Sequence, residues 1–215
     1  MSRSKLTKYG HACVVIEKDG VKIVIDPGDF TELPDDLSNI DAVFYTHVHP
    51  DHTSAAQLAK IVSASSEVMV YGHGESIAEL ASVECPKHVI ESDRVLTVGD
   101  VSVSLYVLDH AIIWQSSPCK NIAINVGDFY YYPGDSFHVI PDEVEVVGVP
   151  ISAPWLKMSE VIEFAQTAKA RKLVPVHNGL LNDVGHSLAH RWLSIGLEGS
   201  GKELELLKNG EGVEG

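Results

Sequence analysis

Hydrophobic and polar positions alternate in short blocks from Cys13 onward. Two β-branched runs, residues 13–16 and 21–25, flank Lys18-Asp19-Gly20, and the Asp-Gly pair supplies the positive φ angles of a tight turn. Residues 13–25 are therefore predicted to form a hairpin, which Asp26-Pro27-Gly28 closes. The apolar run Asp41 to Tyr45 reads as a buried strand ending at Thr46, and the polar stretch from His47 to Thr53 as a loop at its carboxyl end. Ala55, Leu58, Ala59 and Val62 recur at helical spacing behind Thr53 or Ser54 as a cap, which predicts an amphipathic helix over 54–63.

The alternation continues. Val68 to Tyr71 reads as a strand, Ile77, Leu80 and Ala81 as one face of a helix, and Val101, Val103, Leu105 and Val107 as a period-two strand ending at Asp109-His110. Residues 121–132 form a second predicted hairpin, which runs into Pro133-Gly134-Asp135. Val144 to Ile151 is a further strand, Val161, Ile162, Ala165 and Ala168 mark a helix, and Leu173 to Val176 is a short strand ending at His177. The order hairpin, Ile-Asp-Pro-Gly, strand into Thr-His-Val-His is answered later by hairpin, Tyr-Pro-Gly-Asp, strands into Pro-Val-His-Asn. Two such β-rich halves with helices predict an α/β fold, an αββα sandwich of two sheets packed face to face with helices on both outer faces. One domain over 1–198 is expected, with 199–215 a Gly-rich acidic tail, partly ordered at best.

Composition narrows the function classes. With 215 residues, 45% hydrophobic and 21% charged, and a mean hydropathy of +0.06, the chain has the make-up of a folded soluble protein. Sixteen basic residues against 30 acidic leave a net charge of −14, which disfavours nucleic acid and acidic membrane surfaces as partners. No apolar run approaches the ~20 residues of a membrane span, and the N-terminus has no apolar secretion signal. Cys13, Cys85 and Cys119 are odd in number and widely spaced, so a reducing compartment, the cytoplasm, is expected. Oligomeric state is left open.

Histidine carries the chemistry. His47, His49, Asp51 and His52 place three imidazoles and a carboxylate within six residues of a loop that follows a buried strand. Such a loop can fold around one or two cations, and a nitrogen and oxygen set without thiolate suits zinc first, with manganese, iron or nickel also compatible.

The run Thr46-His47-Val48-His49-Pro50-Asp51-His52 resembles the HxHxDH signature of the metallo-β-lactamase superfamily. That resemblance implies a metal-dependent hydrolase with two divalent ions. One would be held by His47, His49 and His110, the other by Asp51, His52 and His177, with Asp135 between them. The opening from Tyr9 to Gly28, with Gly10-His11 and Ile25-Asp26-Pro27, resembles the small branch of the superfamily that includes the ascorbate-phosphate lactonases. Where that branch often has Gly-Gly, an aromatic and Thr-Met, this chain has Ser152-Ala153-Pro154-Trp155-Leu156-Lys157-Met158.

The resemblance further implies a metal-bridging hydroxide as nucleophile on a small ester, lactone or phosphodiester, with an anionic substrate allowed. Asp51 would orient the hydroxide and relay its proton. His11 is a candidate substrate contact or proton donor, and Asp26 a partner holding a ligand histidine. His186 and His190 share a helix face, with solvated or capping roles expected. Trp155 is a candidate pocket wall, with a buried aromatic under a loop the first expectation, and His73, His88 and His138 are expected in turns or at the surface. A di-iron redox or dioxygenase member of the same superfamily is the alternative.

Overall fold

The structure, a computed structural model, describes residues 4–115 and 117–215. Two seven-stranded mixed sheets pack face to face. The first contains β1 (Lys5–Tyr9), β2 (Cys13–Lys18), β3 (Val21–Ile25), β4 (Ala42–Phe44), β5 (Met69–Gly72) and β6 (Lys87–Val89). The second contains β7 (Arg94–Val98), β8 (Val101–Asp109), β9 (Lys120–Val126), β10 (Tyr130–Tyr132), β11 (Val144–Pro150), β12 (Ala170–Val176) and β13 (Glu203–Leu204). The last strand, β14 (Gly212–Glu214), returns to pair with β1. Helices α1 (Ala55–Ala64) and α2 (Gly74–Glu79) follow β4 and β5, and α3 (Met158–Thr167) and α4 (Asp183–Gly196) follow β11 and β12.

Each sheet has an antiparallel half and a parallel half. Strands β1, β2 and β3 form a meander that continues into parallel β4, β5 and β6; β8, β9 and β10 do the same into β11, β12 and β13. The repeat in the sequence is thus a repeat of topology. Period-two alternation splits each strand between two cores. Val14, Ile16, Ile23 and Ile25 point between the sheets, whereas Cys13, Val15 and Val24 pack outward under Leu58 and Ile61 of α1. Val161 and Phe164 of α3 and Leu193 of α4 cover the second sheet. Burying each such side chain contributes about 1.5–3 kcal/mol before entropy is counted.

Ser54 caps α1 by accepting from the Gln57 N–H at 3.4 Å. Among the described residues no helix is long and apolar enough to cross a membrane. Two features differ from the sequence expectation. Strands β1, β6 and β7 were not anticipated, because charged residues such as Lys5, Lys8, Lys87 and Arg94 interrupt their apolar pattern. The segment after Gly199, expected to be partly ordered at best, supplies β13 beside β12 and β14 beside β1, with Gly215 N–H donating to the Ser4 carbonyl at 2.8 Å. Backbone pairing to existing edges, not side-chain composition, places this segment.

Candidate metal centre

Strands β3, β4, β8, β10 and β12 all run toward one end of the sandwich, and a polar residue follows each within three positions: Asp26, Thr46, His110, Asp135 and His177 respectively. Parallel and mixed sheets present their ligand sites at such carboxyl ends. The predicted loop from His47 to Thr53 lies among them.

Close backbone approach builds the site. Gly28 backs onto this loop so tightly that a Cβ there would sit 2.1 Å from the Asp51 carbonyl carbon, so only glycine fits. Gly134, at φ 63°, turns the chain after β10, and Asn121 clamps the turn by accepting from the Asp135 N–H at 3.0 Å and donating to the Pro133 carbonyl at 2.8 Å. Asp26 (φ 51°) and His177 (φ 55°) both adopt the left-handed conformation, a cost of order 1 kcal/mol each that the surrounding contacts hold in place.

The structure brings all seven predicted ligands together. His47, His49 and His110 have ligand atoms within 4.8 Å of one another, as do His47, His52 and Asp135, and as do His11, Asp51, His52 and His177. His47, His52, His110, Asp135 and His177 are buried, while His49 and Asp51 are partly exposed.

Hydrogen bonds on the far side of each ring decide which nitrogen faces inward. His52 Nδ1–H donates to Asp26 Oδ2 at 2.7 Å, His110 Nδ1–H to the Ala111 carbonyl, and His177 Nδ1–H to the Ser152 carbonyl at 2.6 Å. Each neutral ring is left with its Nε2 lone pair pointing into the centre. His11 is wired in reverse. Its Nδ1 accepts from the Gly179 N–H at 2.9 Å, so the neutral ring carries its proton on Nε2, 3.3 Å from Asp51 Oδ2. The neutral His11 ring therefore turns its protonated Nε2 toward Asp51 within the same cluster, without a hydrogen bond of its own. Asp26 also accepts from Thr46 N–H at 2.7 Å and Thr46 Oγ1 at 2.6 Å, which ties the end of β4 to the turn after β3.

The Nε2 atoms of His11, His52, His110 and His177 and Asp135 Oδ1 are buried without a hydrogen-bond partner. Such groups are costly unless something completes them, and a divalent cation fits a converging set of imidazole and carboxylate donors. Asp135 lies between the two sides. Its Oδ2 is 3.3 Å from His110 Nε2 and 3.1 Å from His177 Nε2, and its Oδ1 is 3.3 Å from His52 Nε2.

Protons occupy this cluster when no cation does. Burial works against a charged His177, yet the neighbouring Asp135 and Asp51 prevail and raise its pKa to about 9. His52 is likewise raised, with burial outweighed by Asp135 and Asp26. Burial lowers His47 and His49, aided by their imidazole neighbours. Burial opposes ionisation of Asp135 and Asp51, but the facing histidines hold both below the ordinary carboxylate range. Cys119 Sγ lies 3.9 Å from His49 Nε2, and burial first, then Glu75, raises its thiol to about 11, so it stays protonated.

Two further residues hold Asp135 in ways that the sequence does not signal. Asn121 is one. Trp155 is the other: expected to be buried, it is only partly so, and its indole N–H donates to Asp135 Oδ2 at 2.8 Å while its ring packs against Phe137, with centroids 5.1 Å apart. His186 and His190 lie with tilted rings 5.6 Å apart on α4 and belong to none of these ligand clusters. His73 caps α2, with its Nδ1 accepting from the Glu75 N–H.

Residues 5–177 match the family described as the beta-lactamase superfamily domain. A metal-dependent hydrolase of a Geobacillus species is 26% identical over 228 residues, covering 98% of this chain and 99% of its own. Protein Rv0786c of Mycobacterium tuberculosis is 27% identical over 183 residues, 82% of this chain and 85% of its own. In fold, the chain is similar to the metallo-beta-lactamase fold protein YhfI of Bacillus subtilis, with a TM-score of 0.75, 18% identity and 100% coverage of both chains.

Proposed function

The chain belongs to the beta-lactamase superfamily and is a metal-dependent hydrolase, and we propose that it cleaves a small ester, lactone or phosphodiester at a centre for two divalent ions, zinc first. His47, His49 and His110 would hold one ion, Asp51, His52 and His177 the other, and Asp135 both. The observation that carries this reading is the set of buried, inward-facing Nε2 atoms of His52, His110 and His177, each fixed by a hydrogen bond on its far nitrogen. When bound, divalent cations supply Lewis acidity that lowers the pKa of water toward neutrality and offsets developing negative charge.

The protein's own groups do the rest. Asp51 is the partly exposed carboxylate of the cluster, so it is the acceptor that orients the attacking water and receives its proton. His11 is fully buried, with Nε2 against Asp51 Oδ2. It reaches the reaction through Asp51, by turning its Nε2–H toward that carboxylate and steadying it for proton transfer. Asp135 is fixed by Trp155 and Asn121 before substrate arrives, so little reorganisation is needed.

Elemental analysis of protein purified without added metal, chelator or histidine tag tests this reading. About two equivalents of zinc or manganese per chain are expected. With them should come turnover on a panel of lactones, phosphodiesters and thioesters that is lost in Asp135→Ala and in His47→Ala while both variants stay folded. Full activity in either variant, or a protein that takes up no metal, overturns it. Two equivalents of iron with visible absorption and oxygen consumption would replace it with the di-iron reading.

A further inference from the structure

Beside the metal centre lies a cavity of about 680 Å³ whose wall includes Gly10, Phe30, Asn178 and Gly179. Gly10 adjoins His11 and Asn178-Gly179 follow His177 in the chain, and Phe30 packs edge-on against the His11 ring with centroids 5.6 Å apart. The cavity and the metal centre therefore share a wall.

Lys8 lines this cavity, and it is the unusual cation of the molecule. Lys18, Lys120, Lys157, Arg171 and Lys172 each pair with a carboxylate. Lys8 is only 3% exposed, and among the described residues its ammonium makes no ion pair. Its one hydrogen bond goes to the Gly10 carbonyl. Its main chain is locked on both sides, with N–H donating to the Glu211 carbonyl at 3.0 Å and carbonyl accepting from Gly210 N–H at 2.8 Å. In a chain with 30 acidic residues, a buried ammonium without a carboxylate partner is an incomplete arrangement. Burial lowers its pKa to about 8, so it remains largely cationic near neutrality. Lys208 and Asn178 stand on the same wall and add donors, whereas the Asn209 amide is engaged with Glu32 and the Gly10 N–H; Glu32 and Asp183 also line the cavity and keep it from being a general anion trap.

We propose that this cavity is an oxyanion site, in which the Lys8 ammonium receives a carboxylate or phosphate group of a small molecule. The identity of that molecule, the anionic end of the substrate cleaved next door, rests on the hydrolase reading; the site itself does not. The Gly10 carbonyl holds the ammonium in place, and the anion supplies the charge that the protein withholds. An acidic protein thereby selects an anionic substrate through one buried cation and two metal-bound charges, while its outer surface repels other polyanions.

The test is an amide NMR titration of isotope-labelled, zinc-loaded protein with inorganic phosphate and, separately, with acetate. The Gly10 and Asn209 amides report the cavity, since Gly10 N–H donates to Asn209 Oδ1 at 2.8 Å, and the Trp155 indole N–H reports the metal centre. Saturable shifts at Gly10 and Asn209 are expected, weakened about tenfold or more in Lys8→Met and retained in Lys8→Arg, which keeps the charge. The tighter of the two anions identifies the group. Unmoved Gly10 and Asn209 signals, or equal affinity in Lys8→Met, overturn the proposal. Shifts confined to the Trp155 indole mean that the anion binds only at the metals, which overturns the cavity site and leaves the hydrolase standing. Binding at Gly10 in a protein without turnover on the panel would do the reverse.

Discussion

The two ends of the sandwich are built from the same strands but by different means. At one end β2 turns into β3, β7 into β8 and β9 into β10, at Gly20, Gly99 and Gly127, all with positive φ. These turns obey local rules: a flexible residue, a polar neighbour, and contacts such as the Lys18–Asp128 pair at 3.0 Å. At the other end the left-handed positions include Asp26 and His177, and the polar side chains are buried. Their partners lie far along the chain, 20 residues from Thr46 to Asp26 and 168 from Gly179 to His11. The difference shows where structural free energy is committed. One end closes the chain cheaply; the other holds unpartnered donor atoms in a fixed array, against their own preference for water, because a ligand completes them.

Removing a long-range tie should damage the second end far more than any change damages the first. Asp26 is the largest such tie, because it fixes Thr46 and the His52 tautomer together. Asp26→Ala is expected to weaken zinc affinity by about 10–100-fold, the usual effect of losing a carboxylate behind a metal-bound histidine. Competition against a fluorescent chelator measures it. Affinity equal to the parent protein would mean that the tautomer is set by something else.

Trp155→Phe comes next. The ring keeps its place against Phe137, but the donor to Asp135 Oδ2 is gone. Zinc affinity should fall about tenfold, with kcat reduced and KM little changed, since the loss falls on the central carboxylate of the cluster and not on substrate. Metal uptake is expected to change tryptophan fluorescence through the Trp155–Asp135 bond, and Trp155→Phe should lose that change whereas Trp114→Phe and Trp192→Phe should keep it. Retention of that change in Trp155→Phe would place the reporting indole elsewhere.

How much of this was legible follows the same division. The hairpin over 13–25, the helix behind Ser54 and the HxHxDH loop were readable, because their signals lie within a few adjacent residues. His110, Asp135 and His177 could be assigned only through resemblance; nothing in their local sequence says that three strand ends converge. Asn121 was not legible as a site residue at all, and Trp155 was legible only as a candidate pocket wall, not as a partner of Asp135. A tryptophan among apolar neighbours and an asparagine opening a strand become informative only when the Asp135 carboxylate and the turn after β10 arrive beside them. The edge strands β13 and β14 escaped for a related reason, since their pairing is main chain to main chain and leaves no side-chain pattern.

The pH response of the metal-free protein sharpens the contrast. His52 and His177 have raised pKa values, so their contribution to stability is complete below the ordinary histidine value of 6.5 and is lost as pH rises through the folded values, about 9 for His177. The melting temperature of the metal-free protein should therefore fall by several degrees between about pH 6.5 and 9. In the zinc-loaded protein the trend should reverse over the lower part of that range, because zinc displaces those protons and binds more tightly as they become easier to remove. Calorimetry of both forms at matched ionic strength tests the pair of slopes. Parallel slopes would mean that protons and metal do not compete for the same atoms.

The smallest effect belongs to the turn end. Asp128 is 86% exposed and pairs with Lys18, whose ammonium also lies 3.5 Å from Asp19. Removing Asp128 leaves Lys18 a second partner and ready access to water, so the lost attraction is screened and partly replaced. Asp128→Ala is therefore expected to cost no more than about 0.5 kcal/mol and to leave zinc affinity and turnover unchanged. Denaturant unfolding and the chelator competition used for Asp26→Ala check both halves of this expectation. A turn-end variant that altered metal affinity would show that strain passes along the strands from one end to the other. An unchanged metal centre would show that the strands hold the two ends apart, so that one can be remodelled without moving the other.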